Sequence, residues 1–114
     1  MTEIHGIARL RIHAGELDEF KRLQAECLEI VRARDTGTLH YAVYFNGDET
    51  ECIVHEHYRD SEALLEHFAN LGDTMHAIFE TCTGSGELLG TPSQALRRAL
   101  DGTVVKIFMP YQVV

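Results

Sequence analysis

The chain has 114 residues, 45% of them hydrophobic, which suffices for one buried core but not for two, so one domain over residues 1–114 is expected. Its formal charge is -8 with histidine neutral, and its ten Lys and Arg are dispersed between Arg9 and Lys106 without forming a stripe, which excludes nucleic acid as a partner. No basic start with an apolar segment precedes Glu3, and no run of about 18 apolar residues occurs anywhere, so neither export nor a membrane partner is expected.

Ile4, Gly6, Ala8, Leu10 and Ile12 alternate with His5, Arg9, Arg11 and His13, predicting a strand over residues 3–12 with one buried face. Leu17, Phe20, Leu23, Cys27, Ile30 and Val31 then recur at helical spacing. Acidic residues stand near the start of this stretch and Arg32 and Arg34 near its end, as expected of a helix from Glu16 to about Arg34, closed by Asp35-Thr36-Gly37. Residues 38–45 and 50–58 flank Asn46-Gly47-Asp48-Glu49, the strongest hairpin signal in the chain. Antiparallel pairing puts Leu39, Tyr41, Val43 and Phe45 on one face with Cys52, Val54, Glu56 and Tyr58, and puts His40, Ala42, Tyr44, Ile53, His55 and His57 on the other.

Asp60 or Ser61 caps a second helix through Leu64, Leu65, Phe68 and Leu71, and Gly72 separates it from a further turn or two ending near Thr81. Gly84-Ser85-Gly86 reads as a flexible turn before a short strand, residues 87–89. It lacks the spacing of a phosphate-binding loop. A small helix follows Pro92 through Ala95, Leu96 and Leu100, and residues 104–109 form a last strand. Strand, helix, strand, strand, helix, strand is the α+β, ferredoxin-like β-α-β-β-α-β arrangement, here with a C-terminal helix-strand extension. Both helices cover one sheet face, which leaves the face bearing Ile7, Tyr44 and Ile53 for a second copy, so a homodimer is expected. Cys27, Cys52 and Cys82 are odd in number and sit among apolar neighbours, reading as buried thiols in a reducing, cytoplasmic setting.

Three segments are similar to the antibiotic biosynthesis monooxygenase family: Gly37-Thr38-Leu39-His40-Tyr41, Ile53-Val54-His55-Glu56-His57-Tyr58-Arg59-Asp60 and Ala63-Leu64-Leu65-Glu66-His67-Phe68. The likeness spans residues 3 to about 71, with Gly37, Glu56, Tyr58 and His67 on the family's pattern, whereas the C-terminal extension resembles one found in only some relatives. It implies a dimeric α+β barrel. Among such proteins are oxygenases of phenols and quinols that need neither metal nor flavin, haem-degrading oxygenases, and members without an assigned activity. Haem is disfavoured here, because the asparagine of strand one and the tryptophan that haem-degrading relatives use are both missing.

Glu56 and His67 fall on the helix-facing side, where a carboxylate bonded to one imidazole nitrogen makes the other a stronger base. His67 oriented by Glu56 then deprotonates a small phenol, quinol or polyketide-like ring, and the phenolate passes an electron to dioxygen without a cofactor. Tyr41 or Tyr58 orients the substrate, and Phe20, Phe68, Met75 and Phe79 form an apolar wall. A second reading is that Glu56 and His67 merely satisfy one another in a non-catalytic module holding a small ligand. His40, His55 and His57, with His5 if strand one lies beside strand three, share the other face. A structural role at the dimer interface is favoured there over a metal site, since no acidic or cysteine ligand is fixed by spacing. His76 is expected in solvent and His13 at a strand end.

Overall fold

The computed structural model describes residues 2–114. Its elements are β1 (Ile4–Ile12), α1 (Leu17–Arg34), β2 (Thr38–Phe45), β3 (Glu51–Tyr58), α2 (Ser61–Leu71), α3 (Asp73–Glu80), β4 (Cys82–Leu89), α4 (Gln94–Leu100) and β5 (Val105–Phe108). The sheet runs β2-β3-β1-β4-β5, antiparallel throughout except that β5 lies parallel to β4. The first four strands therefore have the expected ferredoxin-like order, and β5 extends the sheet beyond β4.

Local chemistry sets the boundaries. The Asp60 carboxylate accepts the Ala63 amide hydrogen at 2.9 Å and so caps α2. Gly72, at φ 48°, takes the left-handed turn that separates α2 from α3. Ser93 caps α4 by accepting from the Leu96 amide at 3.1 Å.

The hairpin parity follows the pattern read from sequence, with Tyr41 opposite Glu56, Val43 opposite Val54 and Tyr44 opposite Ile53. Leu39 departs from it. A register shift between Thr38 and His40 makes Leu39 the extra residue of a bulge, 54% exposed, and brings Thr38 opposite Tyr58 in its place. The turn expected at Gly84-Ser85-Gly86 is also absent, because these residues lie inside β4 and pair with β1 through Leu10, Arg9 and Ala8. The cause is close approach: a Cβ on Gly84 would sit 2.3 Å from the Arg9 carbonyl oxygen and 2.6 Å from Leu10 Cδ2, so only glycine fits there.

All four helices pack on the sheet face that carries Ile4, Leu10, Cys52, Val54 and Leu88. Two apolar clusters form beneath them, one under α1 and α3 around Phe20, Cys27 and Ile78, the other under α2 and α4 around Ile4, Tyr58 and Leu96. The opposite face is left without helices and exposes Tyr44 and Ile53. Cys27, Cys52 and Cys82 are buried and unpaired. Among the described residues no helix is long and apolar enough to cross a membrane.

Candidate active site

Between the sheet and the helices, where the two clusters meet, lies a cavity of about 350 Å³. Its walls are mostly apolar, with Val54 and Ala8 from the sheet and Leu64, Phe68, Met75 and Phe79 from α2 and α3. Glu56, His67, Tyr41 and Tyr58 all line it, so the four residues singled out for chemistry converge on one space. Phe20 does not reach this space: it is fully buried in the neighbouring cluster, edge-on to Phe45 at 5.9 Å. Its position on the α1 stripe takes it under α3, one turn away from the side that faces the cavity.

His67 is 3% exposed on the inner face of α2. Its Nδ1 lies 2.8 Å from Asp35 Oδ2, whereas its Nε2 is 3.9 Å from Glu56 Oε1, beyond hydrogen-bond reach. Asp35, not Glu56, is therefore the group that orients the imidazole. The Asp35 side chain is 1% exposed and also accepts from Thr38 Oγ1 at 2.7 Å and Asn70 Nδ2 at 2.8 Å. Burial alone raises its affinity for a proton, but the hydrogen bonds from Asn70, Thr38 and His67 outweigh that and hold the carboxyl below its ordinary range. An ionised Asp35 fixes the proton of His67 on Nδ1 and leaves the Nε2 lone pair toward the cavity.

Glu56 behaves in the opposite way. Burial pushes its proton affinity up, against the lowering influence of the Tyr58 hydroxyl and His67. Tyr58 donates its phenolic hydrogen to Glu56 Oε1. Tyr41 donates to Gln24 Oε1 at 3.3 Å and lies 3.3 Å from Cys27 Sγ. Both phenols are pushed well above their usual range, first by burial and then by the Glu56 charge, so they serve as donors and keep their protons. Gly6 faces Glu56 across the β1–β3 ladder; a Cβ there would lie 3.7 Å from Glu56 Cβ and 3.9 Å from Oε2, so the glycine leaves the carboxyl its open side.

Sequence reasoning missed Asp35, Asn70, Thr38, Gln24 and Gly6. The usable signals were small: Gln24 is a polar residue on the buried stripe of α1, and Asn70 lies three residues beyond His67 on the same helix. Asp35 reads from sequence as an ordinary helix-ending residue.

The other sheet face gathers histidines as expected. His5 stacks on His57 with ring centroids 3.9 Å apart, His55 lies 6.3 Å from His5, and His40 meets His55 edge-on at 5.2 Å. Burial, then the neighbouring His57 and His55, lower the proton affinity of His5. Glu3 contacts His57 Nε2. His76 is exposed, and His13 bonds Thr83 Oγ1 at 2.7 Å at the end of the sheet.

A five-stranded sheet of ferredoxin-like order with helices on one face, and a polar cluster lining an apolar cavity, define a small α+β protein whose interior can admit a ligand. The chain belongs to the antibiotic biosynthesis monooxygenase family, whose profile matches residues 4–80. It is similar in structure to MupZ from Pseudomonas fluorescens, with a TM-score of 0.85 at 24% identity over 100% of this chain and 94% of that one. That match takes in the C-terminal helix and strand. It is also similar to Rv0793 from Mycobacterium tuberculosis, with a TM-score of 0.70 at 22% identity over 82% of this chain and 99% of that one. SnoaB, a cofactor-independent oxygenase from Streptomyces nogalater, matches with a TM-score of 0.69 at 18% identity over 82% of this chain and 96% of that one. A search of curated proteins found no match.

Proposed function

We propose that this protein is a cofactor-independent monooxygenase of a small aromatic phenol, quinol or polyketide-like ring, acting as a cytoplasmic homodimer paired through its helix-free sheet face. The observation that carries this reading is the pairing of an oriented imidazole with a carboxyl of raised proton affinity, both on one apolar cavity. His67 Nε2 takes a proton from the bound ring system, and Asp35 stabilises the imidazolium that results. The electron-rich anion reduces dioxygen and forms a carbon–oxygen bond, giving a peroxide anion that recovers the proton from His67. Loss of the remaining hydrogen on that carbon as a proton, with cleavage of the O–O bond, yields a carbonyl and one water. Substrate CH₂ plus O₂ thus becomes C=O plus H₂O, with no external reductant.

Glu56 stands where it can hold or relay the second proton, and Tyr58 and Tyr41 turn their hydroxyl hydrogens from Glu56 and Gln24 to the substrate oxygens when the ring binds. Phe68, Met75 and Phe79 stack on the ring and keep water out. The family match and the likeness to a cofactor-independent oxygenase support this reading.

The test is oxygen uptake with a panel of anthrones, naphthols and hydroquinones. Turnover by the wild type, and a loss of about 100-fold or more in His67→Ala with the fold intact, are expected if His67 is the general base. Quinols that raise the melting temperature without consuming dioxygen would instead identify a ligand-holding module. Sedimentation at micromolar concentration checks the dimer.

A further inference from the structure

The geometry points to a divalent transition-metal site of the zinc or copper type, formed by Glu3, His5 and His57 on the sheet face opposite the cavity. Spacing alone supplies two imidazoles but no acidic ligand; the fold supplies the carboxylate by placing Glu3, just ahead of β1, beside His57 at the end of β3. His5 and His57 are direct partners in the β1–β3 ladder, so their side chains leave the sheet on the same side at the same level. One donor atom from each of the three residues lies within 4.8 Å of the other two.

Donors about 2.1 Å from one tetrahedral zinc ion stand about 3.4 Å apart. From separations of up to 4.8 Å the donors close by at most about 1.4 Å, and the two imidazoles, stacked 3.9 Å apart, turn out of the stack so that both ring lone pairs meet the ion. Among the described residues no other group of three such side chains meets this way. β1 and β3 are inner strands, each held on both sides by a neighbour, so the two imidazoles are carried on a rigid support. Two imidazoles and one carboxylate select zinc, copper or nickel over magnesium or calcium. Three protein donors leave a fourth coordination position for water or a ligand. His55 and His40 lie farther along the same face and outside the inner set.

Chelator-stripped protein titrated with Zn²⁺ and with Cu²⁺ by calorimetry should bind one ion per chain. His5→Ala and His57→Ala should each weaken binding by more than the roughly 10- to 100-fold that loss of a supporting hydrogen bond costs a metal site. His76→Ala, on the exposed side of α3, should bind as the wild type does. Pulsed electron paramagnetic resonance of the Cu²⁺-loaded wild type needs no variant to fold and should report two imidazole nitrogens on the ion. No binding, affinity that survives both histidine substitutions, or fewer than two coupled imidazoles would overturn the assignment.

Discussion

Replacing Asp35 by Asn tests the centre of the proposed site, because it removes a charge while keeping shape. The carboxylate accepts three hydrogen bonds, from Thr38 at 2.7 Å, Asn70 at 2.8 Å and His67 at 2.8 Å. Oδ2 receives two of them and Oδ1 the third. An amide oriented with its oxygen at the Oδ2 position keeps the His67 and Thr38 bonds, and its NH₂ group then meets Asn70, whose amide must turn over to accept. All three bonds survive as neutral ones, each weaker by about 1 kcal/mol than a bond to a charged acceptor. Part of that gross loss of about 3 kcal/mol is returned, since a neutral amide costs less to bury than a carboxylate. The expected net destabilisation is about 1–2 kcal/mol, a fall in melting temperature of roughly 5–15 °C for a chain of this size. Asp35→Ala, which leaves three donors in a buried place without an acceptor, should cost more, about 3 kcal/mol or above.

The pH dependence separates the charge from the shape. Asp35 is held below the ordinary carboxylate range in the folded protein, so its stabilisation is complete above the unfolded-state value near about 4 and is lost as pH falls through the folded-state value. Urea unfolding followed by circular dichroism should therefore show a wild-type advantage over Asp35→Asn at pH 7 that shrinks at pH 3. An advantage of the same size at both pH values would mean that the carboxylate is not the ionised partner of His67. So would the absence of any advantage at pH 7.

Glu56 has the opposite sign: its proton affinity is raised on folding, so its contribution to stability is present below the unfolded-state value and declines as pH rises through the folded-state value. Glu56→Gln should accordingly gain stability relative to the wild type as pH rises above the unfolded-state value near about 4 in the same urea assay, while oxygen uptake falls. Phe20→Ala should lower stability by about 3–5 kcal/mol and leave the affinity for a bound aromatic unchanged, whereas Phe68→Ala should weaken that affinity, as titration calorimetry would show. Gly84→Ala forces β4 away from β1 and should cost about 1–3 kcal/mol in thermal unfolding, a loss that a turn at that position would not produce.

The fold was legible because its signals are local. Alternation in β1, the 3.6-residue stripe of α1, the hairpin around Asn46 and Gly47, and the Asp60 cap each act within a few residues, and together they admit one sheet order. The errors fall where a distant backbone decides. Gly84 and Gly86 have the composition of a turn, but β1 passes within contact of them and needs glycine in a strand. Leu39 has the right parity for the core, but the bulge after Thr38 turns it outward.

The same contrast governs the site. His67 and Glu56 could be placed on the correct sides of a helix and a strand from periodicity, which fixes the face of a residue but not its partner. Asp35 lies 32 residues before His67 and reaches it only because α1 ends beside the middle of α2. The bulge that displaced Leu39 is what brings Thr38 round to hold the same carboxylate. A local irregularity that reads as a fault in strand pairing is thus part of how the imidazole is oriented. Thr38→Val, which keeps the bulge and removes only the hydroxyl, should therefore cost about 1 kcal/mol in urea unfolding and loosen the hold of Asp35 on His67 without touching the cavity wall.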